Sequence, residues 1–248
     1  MINRIQQNLM IMTKSINRNA LKYIAIIAML IDHIAWAFVR TDSILGEVMH
    51  FIGRLTGPTM AFMIYEGYLH TRNIKKYAIR LGLFALISWI PYSLFEVGKW
   101  PYPTFGVIYT LFLGLLIVWM WDKAKISKAL KVVIVILACI ASLFGDWPIF
   151  DILWPLFLFI YKDDEKRKWR SFYILIIVEV AFIMLPSILS GEPFRSVFQL
   201  GAFMVPPILM YLYNGESESK NAFHKWFFYI FYPLHLLILA LLKMYVFV

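Results

Sequence analysis

Apolar residues run along this chain in long blocks, and the polar residues between the blocks gather in short basic clusters. A helix needs about 20 predominantly apolar residues to cross a hydrocarbon core. Nine such blocks can be drawn, over residues 20–40, 49–69, 77–97, 104–121, 129–145, 148–161, 171–190, 194–213 and 226–247. The sixth, PIFDILWPLFLFIY, is short for a full crossing, and is expected to tilt little, thin the bilayer locally or form a broken hairpin with the fifth. The pattern predicts an all-α fold, a polytopic integral membrane bundle of about nine transmembrane helices. Residues 1–19 form a polar N-terminal segment and 20–248 a single transmembrane domain.

The basic clusters fall on alternate connections. Arg4, Lys14, Arg18 and Lys22 precede the first block, and Arg72, Lys75, Lys76 and Arg80 follow the second. Lys123, Lys125, Lys128 and Lys131 follow the fourth, Lys162, Lys166, Arg167, Lys168 and Arg170 the sixth, and Lys220 and Lys225 the eighth. The other connections hold Arg40, Lys99 and Arg195. Basic loops stay in the cytoplasm, so the N-terminus is expected there and the C-terminus outside.

Composition agrees with a membrane reading. The chain is 61% hydrophobic and 16% charged, where a soluble domain is about half apolar and a quarter charged. A net charge of +9 would suit nucleic acid, but the topology accounts for it, and no basic domain or base-reading motif is present. Cys139 stands alone in an apolar run and reads as a small packing residue. No His-x-x-x-His or Glu-x-x-His spacing occurs, so no metal site is expected.

The informative residues are the ionisable ones inside the blocks. Asp32 and His33 sit near the middle of the first, where each costs about 2.5–3.5 kcal/mol or more if it faces lipid. They are therefore expected to face the bundle interior. Arg54 enters from the opposite side in the second block and reaches a similar depth, so an Asp32–Arg54 pair between adjacent antiparallel helices is expected. His33 is one residue from Asp32, about 100° round the helix, so Asp32 does not orient it. His235 in the last block comes to mid-membrane depth, and two histidines near an acid and a base make a candidate site. Pro58 frees the carbonyl of Arg54. Glu179 and Gln199 are further intramembrane polar residues, whereas Asp146 and Asp151 read as solvated near the outer surface. At the cytoplasmic mouth, Glu66, His70, Arg72, Asn73, Lys75 and Lys76 would suit an anionic, phosphate-bearing cofactor.

At these residues the chain resembles the TraX family, named for a conjugal-transfer protein that acetylates the N-terminus of pilin. The resemblance rests on MLIDHIA at 29–35, IGRLTGPTMAFMIYEGYLHTRN at 52–73, LFALISWIPYSL at 83–94, LYNG at 212–215 and FFYIFYPLHLLIL at 227–239. One departure is Gly106, where the family often carries asparagine. The resemblance implies a multi-pass acetyltransferase of the bacterial plasma (inner) membrane, drawing on acetyl-CoA and similar in plan to the wider transmembrane acyltransferases. It implies His33 as the catalytic histidine, with Asp32, Arg54 and His235 beside it, and Glu66, His70, Arg72, Asn73 and Lys76 toward the cofactor. The acceptor is an amine or hydroxyl of a peptide, an amino sugar or a glycan, and the remaining expected partners are membrane lipid and further copies of the chain. A proton-coupled transporter using the same buried residues is the rival reading.

Overall fold

The computed structural model of the protein describes residues 14–191, 196–216 and 222–246, so Arg4, Arg195 and Lys220 of the charge alternation lie outside the described residues. Among the described residues the fold is all-helical and contains no strand, with two isolated bridges, Ile16 to Tyr213 and Phe105 to Gly145. The helices are α1 Arg18–Phe38, α2 Ile44–Gly53, α3 Thr56–His70, α4 Ile74–Val97, α5 Val107–Lys123, α6 Lys128–Ser142, α7 Phe150–Ile160, α8 Glu165–Leu189 and, at the C-terminal end, α9 Ala222–Val246. Between α8 and α9 lies an interrupted helix, 3-10 over Val197–Met204, α over Val205–Pro207 and π over Ile208–Leu212.

Among the described residues four helices are long and apolar enough to cross a membrane: α1, α4, α8 and the Trp226–Val246 part of α9. The other predicted blocks form shorter helices, of which α7 has 11 residues. The second block is not one helix. Its chain turns at Arg54 and Leu55, and Pro58 falls in the first turn of α3, where a missing N–H leaves no ladder bond unmade. The eighth block changes pitch around Pro206 and Pro207, which withhold two consecutive donors from the α ladder.

α1 is the inner helix of the site. Asn17 caps it by accepting the Ala20 N–H at 2.8 Å. Its buried stripe runs through Leu21, Ala25, Ala28, Met29, Asp32, His33 and Ala35, and the alanines let α2, α3 and α9 approach closely. α9 lies between α1 and α4, while α7 packs against α3, α5 and α8. Trp154, Phe172, Leu115 and Ile176 fill the centre of that second group. Large apolar side chains such as Ile79, Leu86, Phe182 and Leu189 face outward, an exposure that suits hydrocarbon.

Candidate active site

The expected Asp32–Arg54 pair is present, with Arg54 Nη2 donating to Asp32 Oδ2 at 2.8 Å. The other carboxylate oxygen accepts from Nδ1 of His50, also at 2.8 Å. Both oxygens of Asp32 are thus engaged by the α2 side, and His33 receives neither. His50 is wholly buried, and its Nε2 has no hydrogen-bond partner among the described residues. The sequence reading overlooked it, although His50 lies four residues before Arg54 and so on the same helical face. The close approach depends on Gly53, where an added Cβ would come within 2.3 Å of the Asp32 carboxylate.

His33 and His235 meet between α1 and α9, with His33 Nδ1 2.8 Å from His235 Nε2. The rings stack, 5.0 Å apart at 19°. The tautomers of the neutral rings follow from the outer partner. His235 Nδ1 lies 2.9 Å from the Phe231 carbonyl, which only accepts, so Nδ1 of His235 carries the proton. His235 Nε2 is then an acceptor, and His33 Nδ1–H donates to it. The lone pair left on His33 is at Nε2. The pair therefore leaves the unprotonated nitrogen of His33 on the side of the ring away from His235.

Two cavities lie along α1, and His33 lines the smaller of them. One, of about 510 Å³, opens at the basic end of the bundle and is lined there by Arg18, Lys22, His70, Arg80 and His224. The other, of about 180 Å³, lies toward the opposite end and contains Asp32, His33 and Arg54 together with Trp36, Tyr92, Glu96, Asp146 and Trp147. Met29, Thr56 and Val107 line both. Met29 is one helical turn below His33 on the same face of α1. His235 lines neither cavity and stands behind His33.

The smaller cavity is closed by a strained turn. Trp147 and Ile149 hold positive φ, 51° and 69°, a region that non-glycine residues rarely occupy. Phe105 pins the turn by donating to the Phe144 carbonyl and accepting from the Asp146 N–H, at 2.7 and 2.9 Å. Trp147 covers the Arg54 guanidinium, 4.8 Å from the ring centre, and fills the space that Gly57 leaves.

Two expectations from the sequence are revised. Asp151 is not solvated but wholly buried, accepting from Thr110 Oγ1 at 2.7 Å, because α7 packs it against α5. Asp146 is part of the cavity wall. Gly106 also gains a reason: an added Cβ would lie 2.1 Å from the Tyr232 hydroxyl, which accepts the Val107 N–H at 3.0 Å. In this chain a tyrosine from α9 fills the place that a larger side chain at 106 would take. Glu179 and Gln199 are buried as expected, and Glu179 Oε2 has no partner among the described residues.

The residues expected at the cofactor divide. His70 lines the larger cavity. Glu66 binds Arg18 at 3.0 Å and accepts from the Tyr213 hydroxyl at 3.0 Å, on the far side of that ion pair. Asn73 caps α4 by accepting the Lys76 N–H at 2.9 Å. Arg72 and Lys76 are exposed at the same end, outside the cavity lining. The cations inside it are Arg18, Lys22 and Arg80, which the sequence reading had assigned to topology alone.

A helical membrane protein with a buried, hydrogen-bonded histidine pair, one ring of which lines a cavity, is the class that fold and site define. The chain belongs to the TraX family, matching the family described as TraX protein over residues 17–243. It is also 31% identical over 245 residues to the probable fimbrial assembly protein FimC, serogroup H1, of Dichelobacter nodosus, covering 94% of this chain and 99% of that protein. No solved structure matches.

Proposed function

We propose that the protein is a multi-pass acetyltransferase of the bacterial inner membrane, with its N-terminus in the cytoplasm and about nine crossings, the shorter helices completing the spans. Acetyl-CoA enters the larger cavity from the cytoplasm, and an amine acceptor enters the smaller one from the opposite side. The observation that carries this reading is the shared wall of Met29, Thr56 and Val107, with His33 one turn beyond it. A thioester at the end of a pantetheine arm and an acceptor nitrogen both reach His33 Nε2 there.

The donor side is supported by unsatisfied cationic donors. Nε of Arg18 and Nε of Arg80 are buried and have no hydrogen-bond partner among the described residues. Both side chains line the larger cavity, where their guanidinium groups would serve a pyrophosphate as charge-assisted donors. His70 joins them, Arg72 and Lys76 add positive charge outside, and Glu66 and Asn73 hold the rim through Arg18 and the α4 cap.

The acceptor side is supported by Glu96 and Asp146, acids beside His33 among Trp36, Tyr92 and Trp147. Acids and aromatic faces suit an ammonium group better than a neutral hydroxyl. The ammonium loses one proton to reach its nucleophilic form. As the amine attacks the thioester carbonyl, His33 Nε2 takes the second proton and returns it to the leaving thiolate. The products are the acetylated amine, the free thiol and one proton. Asp32, Arg54 and His50 hold α1 against α2 and fix His33 from its own helix.

A transporter is favoured by one observation, the packing of two interrupted helices where an added Cβ on Gly201 would meet the Phe51 carbonyl at 2.1 Å. Purified protein in nanodiscs, given labelled acetyl-CoA and a peptide with a free N-terminus, separates the readings. Transfer of label supports the enzyme. Absence of both coenzyme binding and transfer, with proton-coupled uptake in proteoliposomes, supports the transporter.

A further inference from the structure

A second cavity opens at the basic end, about 670 Å³ in volume, and the site described above does not use it. Its partition from the donor cavity is the Arg18–Glu66 pair, for Arg18 lines the donor cavity while Glu66 and Tyr213 line this one. The isolated bridge between Ile16 and Tyr213 holds the partition in place. Its ionic content is three lysines, Lys14, Lys166 and Lys168, against two acids, Glu66 and Glu165. Both acids are already matched, Glu66 by Arg18 and Glu165 by Lys168. Glu165 is shared between Lys168 and Lys14, so with Lys166 the lining carries one more cation than acids. Aromatic side chains make up much of the rest, with Tyr65, Trp169 and Tyr211 among them, and Tyr211 is 55% exposed.

We infer that this cavity is the subsite for the nucleotide end of the acyl donor, an inference that rests on the acetyl-CoA reading above. A coenzyme whose pantetheine arm fills the donor cavity brings its pyrophosphate to Arg18 and Arg80. The adenine and the 3′-phosphate must continue beyond that rim, and the adjoining cavity offers what they require. An aromatic face stacks on any base, and ammonium groups serve a phosphate monoester as point charges. Arg18 lines the donor cavity and is bonded across the partition to Glu66 and to the Gly215 carbonyl, which line the other. An anionic lipid headgroup shares the phosphate chemistry but gives no use to the stacking faces or to continuity with the donor cavity.

The test uses the full-length protein in nanodiscs of a zwitterionic lipid and three probes: coenzyme A, 3′-dephospho-coenzyme A and phosphopantetheine. Tyr211→Ala removes an exposed stacking face, and Lys166→Ala an exposed cation. Tyr211→Ala should weaken both nucleotide-bearing probes by about 5- to 100-fold, the worth of one base stack, and leave phosphopantetheine unchanged. Lys166→Ala should narrow the difference in affinity between coenzyme A and its dephospho form. Equal losses for all three probes, or no loss for any, would overturn the subsite. A lysine effect seen only as altered stabilisation by anionic lipid would reassign the cavity to a headgroup. Wild-type protein that binds none of the probes would remove the donor reading itself, and the subsite with it.

Discussion

His33 Nδ1 lies 2.8 Å from His235 Nε2, and the second histidine is tied in turn to the Phe231 carbonyl. One imidazole sets the tautomer of the other. In neutral rings the chain of donors ends at His33 Nε2, on a ring that lines the smaller cavity. Removing His235 leaves His33 in place but frees its ring. His235→Ala should lower kcat by about 10- to 100-fold, less than the 10²–10⁴-fold expected for loss of a general base. His235→Gln, which can still accept from His33, should recover part of that loss. Equal and complete loss in both variants would make His235 a reacting group.

Asp32 and Arg54 form a largely buried pair, and among the described residues neither has another counter-ion within hydrogen-bond reach, His50 apart. Arg54→Met should therefore destabilise the protein by about 3–5 kcal/mol, because it leaves a buried carboxylate poorly compensated. Adding Asp32→Asn to it should restore part of the thermal midpoint in detergent. Additive losses would show that the two residues do not act as a pair.

Gly53→Ala tests the same contact sterically. Its Cβ would press on the Asp32 side chain at 2.3 Å, so the variant should melt lower and lose transfer even though alanine favours helices. A neutral outcome would mean that α1 and α2 can separate without harm to the site.

On the donor side, Arg80→Ala should weaken coenzyme binding more than Arg72→Ala, because Arg80 lines the cavity with a buried unpartnered Nε and Arg72 is exposed. A charge-assisted hydrogen bond contributes about 1.5–3 kcal/mol, so a loss of roughly 10- to 100-fold is expected for Arg80→Ala. The reverse order, read by titration calorimetry, would move the phosphate site to the outer rim.

On the acceptor side, Asp146→Asn and Glu96→Gln should raise KM for an amine-bearing peptide and leave coenzyme affinity unchanged. The effect of Glu96→Gln should shrink with added salt, since Glu96 is exposed at the mouth and Asp146 is half-buried. Unchanged KM in both would remove the ammonium from the account.

Much of this was legible in the sequence, for an identifiable reason. A charge inside an apolar block is costly, so Asp32, His33, Arg54 and His235 mark themselves, and their depths along helices of known rise bring them together. What stayed hidden depended on bends and long-range packing. Gly57 and Pro58 did not reveal that the second block turns at Arg54 and Leu55. Arg18, Lys22 and Arg80 obey the topology rule and line the cavity as well, and the rule masks the second role. Asp146 and Trp147 depend on a turn with positive φ that no glycine at those positions announces.

The most direct test of the central claim is transfer by His33→Ala. Wild-type and variant proteins, reconstituted side by side, would receive labelled acetyl-CoA and a peptide with a free amino terminus, and the acetylated peptide would be measured by mass spectrometry. The account predicts that the variant inserts, binds coenzyme A with wild-type affinity and transfers at least 10²-fold more slowly, about the least that losing a general base costs. A folded His33→Ala protein that acetylates the peptide at the wild-type rate would contradict it.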